Sequence, residues 1–311
     1  MSMDTHTIRA VVAVFNCLQL LGLTLLLVVL MPALFSARVR RMRTWHTMII
    51  SGIVYDLCYM LLMIPGQQFG PPPSFALCLF QSCLIYGAPV LLVSFCLAFL
   101  VEVRLSFRKS YHLVHALTSR WYKVFLALSY AIYGRSLALS ARTQTLLLLA
   151  VPSFIYMVVF FTTLLIGLQQ RESIELDQWR LYCHSTATSP TLITATIVLV
   201  ETSIMIILEV FMAVILWKTR RRLGSTGTDD NLSSIFPPSL FFRFLAFAIY
   251  VICTIVISAS ILPYPTGNSP FWKMSLTTPP IGMALSFGIQ KDIIAFYWHR
   301  QSDRVEGDRL I

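Results

Sequence analysis

The stretch Cys78–Val103, CLFQSCLIYGAPVLLVSFCLAFLVEV, decides the fold. It carries no charge before Glu102. A hydrocarbon core about 30 Å thick is crossed by roughly 20 mostly apolar residues of helix, and this run is long enough to do so. Six further runs of the same kind lie at Ala10–Phe35, Thr47–Ile64, Thr143–Gly167, Ser189–Trp217, Ser239–Leu262 and Phe271–Gly288. The expected fold is an all-α membrane protein. Its single domain, residues 1–311, is a seven-helix bundle with a short amphipathic helix after the seventh span.

Composition agrees with that reading. The chain is 57% hydrophobic and 12% charged, against about 25% charged in an average soluble domain. A net charge of +10 invites a nucleic-acid reading. The placement of the charge argues against it, because the basic residues cluster at the ends of apolar runs, where they orient a membrane protein.

Of the 24 Lys and Arg residues, 20 fall in alternate intervals between the runs. These include Arg38, Arg40, Arg41 and Arg43 after the first run, Arg220, Arg221 and Arg222 after the fifth, and Lys291 after the seventh. The opposite side holds only Arg9, Arg171, Arg180 and Lys273. Long loops count for less in the positive-inside rule. Setting aside the seven basic residues of the third interval leaves 13 against 4, the same polarity. The N-terminus is therefore expected outside and the C-terminus in the cytoplasm, most simply at the plasma membrane. The first run is longer than a signal-peptide core and is expected to be an uncleaved helix.

Prolines interrupt several spans. Pro89 and Pro152 lie inside the third and fourth, and Pro279-Pro280 predicts a kink or short unwound turn in the middle of the seventh. Residues 106–142 form a long cytoplasmic loop with an apolar segment at 124–133. That segment is too short to cross and is expected to be an interfacial helix. A loop without regular structure, or a retained intron, is the alternative. Within the tail 290–311, the aromatic run Ile293–His299 is expected to lie flat on the inner leaflet.

Cys78 and Cys183 both fall on the outer side, where disulfides persist. They are the expected disulfide, with Cys83 one turn deeper as the competing partner and two unpaired thiols as the plain reading. Acids inside the bilayer cost at least about 2.5 kcal/mol each and should face the bundle. Asp56, near the middle of the second span, and Glu201, about 18 Å into the fifth, are candidates for an intramembrane polar switch. Satisfied structural hydrogen bonds would account for them equally well. Glu209 lies nearer the cytoplasmic end.

Glu102 and Arg104, at the inner end of the third span, are of the charge type that locks receptors in their inactive state. Ordinary interfacial charge is the competing reading. Gln81, Tyr86, Thr194, Glu201 and Trp272 are candidate ligand-lining residues. Arg104, Arg220, Arg221, Arg222 and Lys291, with Glu102, are candidates for cytoplasmic coupling. The basic groups also suit anionic inner-leaflet lipid, at about 1 kcal/mol each.

No Walker motif, HExxH or nucleophile elbow is present, so neither an enzyme nor a cofactor is expected. His112 and His115 form an isolated pair and carry no metal reading. Lys273 and Lys291 sit at the two ends of the seventh span rather than its middle, which argues against retinal.

Two segments carry a family resemblance: Cys78–Pro89, CLFQSCLIYGAP, and Phe287–Ile294, FGIQKDII. The Cys183-His184 pair also fits. On these the chain resembles an uncharacterised seven-transmembrane, G-protein-coupled-receptor-like family of mushroom-forming fungi. The similarity spans most of the chain and departs at 106–142, where the family would have a shorter loop. The resemblance implies a receptor for an extracellular ligand with a heterotrimeric G protein as partner. Rhodopsin-class receptors are more distant: Val103 stands where their Arg follows the acid, and their Cys-Trp-x-Pro and Asn-Pro-x-x-Tyr are absent. The reading from a different class is a small-molecule or lipid carrier using Asp56, Glu201 and Glu209 as a polar route.

Overall fold

The computed structural model describes residues 5–36, 41–110, 141–223 and 270–288, together with 245, 249, 252, 293, 294 and 296–298. Most of the sixth expected span, the apolar segment 124–133 and most of the tail lie outside these residues.

The described chain is helical apart from one small hairpin. In chain order the helices are α1 (Thr5–Phe35), α2 (Arg43–Tyr59), α3 (Phe75–Ser110), α4 (Ala141–Gln169), α5 (Thr188–Leu223), α6 (Pro270–Ser275) and α7 (Thr278–Gly288). Strands β1 (Ile174–Leu176) and β2 (Cys183–Ser185) lie between α4 and α5. Among the described residues, four helices are long and apolar enough to cross a membrane: Thr5–Phe35, Phe75–Leu105, Thr143–Gln169 and Thr188–Val214. The chain is a multi-pass membrane protein.

α3 is the hub. It packs against α2, α4, α5 and both strands, while α1 packs on α2 and α7. Within the apolar window of α3, 72% is buried, against 17% for α4. The outward face of α4 shows Phe154, Phe161 and Leu165 well exposed. Large apolar groups in a continuous exposed band suit lipid rather than water. α4 is held to α3 by a close approach at Gly87, where a Cβ would stand 2.6 Å from the Tyr156 ring.

Two expected spans differ in outline. α2 begins at Arg43 and ends at Tyr59 rather than running Thr47–Ile64. The chain then turns through residues 60–69, with Gly66 at φ 67° in the left-handed region, just after Pro65. The seventh run is broken into α6 and α7 at Leu276-Thr277, just ahead of Pro279-Pro280 rather than on them. The prolines then fall in the first turn of α7, where no amide N–H is needed. They leave the carbonyls of Ser275 and Leu276 without their helical donors. The Thr278 hydroxyl donates to Ser275 O at 2.7 Å, and the Tyr55 hydroxyl of α2 donates to Leu276 O at 2.8 Å. The break is thus paid for by α2, as buried backbone acceptors require.

The tail touches the bundle where it is described. The Tyr297 hydroxyl donates to Val28 O of α1 at 2.7 Å, and Ile293 is buried.

Candidate functional site

The hairpin packs over one end of the bundle, the end at which α3 begins. β1 and β2 pair antiparallel with Glu175 opposite His184 and Leu176 opposite Cys183. The connecting tip, 177–182, folds on Asp177. Its carboxylate accepts from the Trp179 amide at 3.0 Å, and its own amide donates to Tyr182 O at 2.9 Å. Arg180 takes up φ 59° to close the turn. Loops normally run over a surface. This tip instead buries Asp177, Trp179, Leu181 and Tyr182.

Tethers from five parts of the chain hold it there. Cys183 is joined to Cys78 of α3, with Cα atoms 5.1 Å apart and a sequence separation of 105. Gln81 of α3 accepts from the Cys183 amide at 2.9 Å and donates to Cys58 O of α2 at 3.2 Å. Tyr86 of α3 donates to Ser185 O at 3.0 Å. Gln68 donates to Leu181 O at 3.3 Å while its oxygen accepts from Asn16 of α1 at 2.7 Å. Arg180 reaches Gly70 O at 2.6 Å. Lys273 of α6 forms an ion pair with Asp177, both side chains almost wholly buried.

Under the lid, Tyr182 projects inward as a plug. Its ring lies 5.5 Å from that of Tyr59, perpendicular to it, and 6.3 Å from that of Phe15. Burial pushes its hydroxyl well above the ordinary tyrosine range. Beside it, burial lowers the His184 imidazole below its ordinary value. The Asp177 and Glu175 carboxylates oppose that shift, and Lys273 adds to it.

Three of the residues expected to line a ligand pocket are therefore engaged with the protein itself. Gln81 and Tyr86 seat the lid, and Thr194 donates to Tyr86 O at 3.0 Å. The side chain of Trp272 lies outside the described residues. Glu201 is deeper: both its oxygens accept from the Ser94 hydroxyl of α3, at 2.7 and 2.8 Å.

Asp56 is not brought together with Glu201. It lies where α1, α2 and α7 meet, close enough to α1 that a Cβ on Gly22 would stand 3.0 Å from Oδ2 and 3.3 Å from Pro280 Cβ. Among the described residues neither Asp56 oxygen has a hydrogen-bond partner. The same holds for both amide atoms of Gln19, one turn earlier on α1, and for both oxygens of the fully buried Glu209.

At the opposite end of the bundle, Glu102 and Arg104 diverge. The Thr44 hydroxyl of α2 donates to Glu102, while the Arg104 guanidinium lies over the Phe211 ring of α5, 4.9 Å from its centroid. Arg220, Arg221 and Arg222 occupy the last turn of α5. Lys291 lies outside the described residues.

Sequence reasoning missed the Asp177–Lys273 pair, the Tyr182 plug and the Gln68 bridge. One signal was available. Lys273 stands inside the apolar start of the seventh run, where an unpaired ammonium would be costly, and Asp177 is one of three acids in the facing outer loop.

A comparison of the chain with protein-family models and with curated proteins finds no match.

Proposed function

We propose that the chain is a seven-span receptor of the plasma membrane that senses an extracellular ligand and signals to a cytoplasmic partner of G-protein type. The observation that supports it best is the lid: a disulfide-anchored hairpin tied to α1, α3, α6 and the α2–α3 connection. A lid fixed across the outer end hinders solute passage yet couples outer contacts to the helices beneath. Through Lys273 it bears on α6, and the α6–α7 break is held in turn by Tyr55 of α2. A ligand that prefers one arrangement of these elements shifts the population toward it.

In this reading Arg104, Arg220, Arg221, Arg222 and Lys291 meet the partner, and anionic lipid is their second contact. Membership in the G-protein-coupled-receptor-like family of mushroom-forming fungi belongs to the same proposal and rests on Cys78–Pro89 and Phe287–Ile294. The carrier reading draws on Glu209, buried without a partner among the described residues. Against it, the acids are divided between two junctions, Asp56 at α1–α2–α7 and Glu201 at α3–α5.

The test is a conformational reporter fused between residues 224 and 238, in surface-expressed protein challenged with a ligand library. A ligand-dependent signal lost in Arg104→Ala supports the receptor. Flux into liposomes carrying the purified chain, abolished by Glu209→Gln, would overturn it in favour of the carrier.

A further inference from the structure

Three charged groups and one histidine meet where the lid touches the bundle. Asp177 belongs to the hairpin tip and Lys273 to α6, and their ion pair is the one charged contact described between lid and helices. His184 lies on β2, directly across from Glu175 on β1, with Nε2 3.9 Å from Oε1. Its ring packs edge-on against Tyr182 at 6.3 Å. Its Nδ1 is buried and has no hydrogen-bond partner among the described residues. From α3 the titratable group turned toward β2 is Tyr86, whose hydroxyl is engaged with Ser185 O. Among the described residues, the charged groups that act on His184 are Glu175, Asp177 and Lys273, with the Tyr182 ring packed against it and Tyr86 engaged beside it at Ser185.

These groups divide unevenly between lid and bundle. Glu175 is on the same hairpin as His184, so a proton on the imidazole strengthens the hairpin internally. Lys273 is on the bundle and acts electrostatically on the imidazole, so the same proton sets a second cation against it. We propose that His184 is a proton-binding site that makes the lid an acid-released latch: protonation loosens Asp177 from Lys273 and lifts the hairpin, with its Tyr182 plug, off the outer mouth. The ligand class is the external proton itself. The inference rests on the outside placement of the hairpin and not on any cytoplasmic partner.

The sign follows from linkage. Burial lowers the imidazole in the closed lid. The lid is therefore fully held above the ordinary histidine value of about 6.5. It loses stability as pH falls from there through the lower closed-lid value. The Tyr182 hydroxyl is pushed upward, away from this window.

The test is hydrogen exchange of the 174–185 amides in full-length protein in nanodiscs at pH 7.5 and 5.0, corrected for intrinsic chemical exchange. The expected result is a fall in protection of about threefold or more at pH 5.0. That fall should be absent in His184→Gln, which keeps a neutral side chain of similar reach. Glu175→Gln, which removes the attraction within the hairpin, should move the transition to lower pH. Equal protection at both pH values in the unmodified chain overturns the proposal. So does an unchanged acid response in His184→Gln, which would assign the effect to the carboxylates. The readout is lid opening alone, so a chain that signals to no partner still passes or fails it.

Discussion

Substituting Lys273 by Met tests whether charge holds the lid. The methionine keeps most of the apolar stem and removes the ammonium. Among the described residues, Asp177 is then left with a single donor, the Trp179 amide, in a position where its side chain is only 3% exposed. Breaking a buried ion pair by removing one partner costs about 3–5 kcal/mol, because the remaining charge is stranded. The retained amide bond argues for the lower end, about 3 kcal/mol. At 1.36 kcal/mol per factor of ten, that is roughly a 150-fold rise in the population of the opened hairpin. Hydrogen exchange of the 174–185 amides at pH 7.5 reads this directly as a loss of protection. The double variant Asp177→Asn with Lys273→Met removes the stranded charge and should recover most of the loss. A single variant whose protection stays within about threefold of the parent would refute the reasoning, since that is under 1 kcal/mol. A double variant as open as the single would assign the effect to packing instead.

Other perturbations have equally definite outcomes. Cys183→Ser opens a closed loop of 105 residues and should cost about 4–5 kcal/mol in the chain-entropy account. Peptide mapping of the Cys78–Cys183 linkage and denaturant unfolding check it. Ser94→Ala removes both hydrogen bonds from the buried Glu201 and should destabilise by about 1.5–3 kcal/mol, seen in thermal unfolding. Tyr55→Phe leaves the Leu276 carbonyl at the α6–α7 break without its donor. About 1–3 kcal/mol should be lost, with faster exchange at 274–280 as the local signature. Gly87→Ala forces a Cβ against the Tyr156 ring. Roughly 1–3 kcal/mol is expected from the overpacking, relieved by adding Tyr156→Leu.

The long helices were legible because their signal is one-dimensional. Apolar length alone reports α1, α3, α4 and α5, and their ends fall within a few residues of the expected spans except where helices run on past the hydrocarbon. α2 was less legible, since it stops at Tyr59, ahead of Pro65 and Gly66, in a turn that apolar length does not report. The seventh run was expected to yield at its prolines. The break lies just before them, because proline is tolerated in a first helical turn and the cost appears at the carbonyls upstream.

The candidate site was read only in part. Cys78 and Cys183 follow from sidedness, and intramembrane acids are conspicuous in any sequence. The lid's contacts are not, since Gln68, Gln81, Tyr86 and Tyr182 are ordinary residue types whose roles depend on what lies opposite them.

The sequence by itself determined that this chain crosses a membrane several times, and it supplied the charge asymmetry from which an orientation is expected. Both are sums over local composition, and the bilayer reads them segment by segment. Only the tertiary structure decided that the chain's own hairpin is tied down across α3 and α6. It alone joined Asp177 to Lys273 across 96 residues, and it divided Asp56 and Glu201 between two helix junctions. Those outcomes depend on which faces meet when the helices pack, and a buried charge or amide acquires its meaning only from the partner that packing sets beside it.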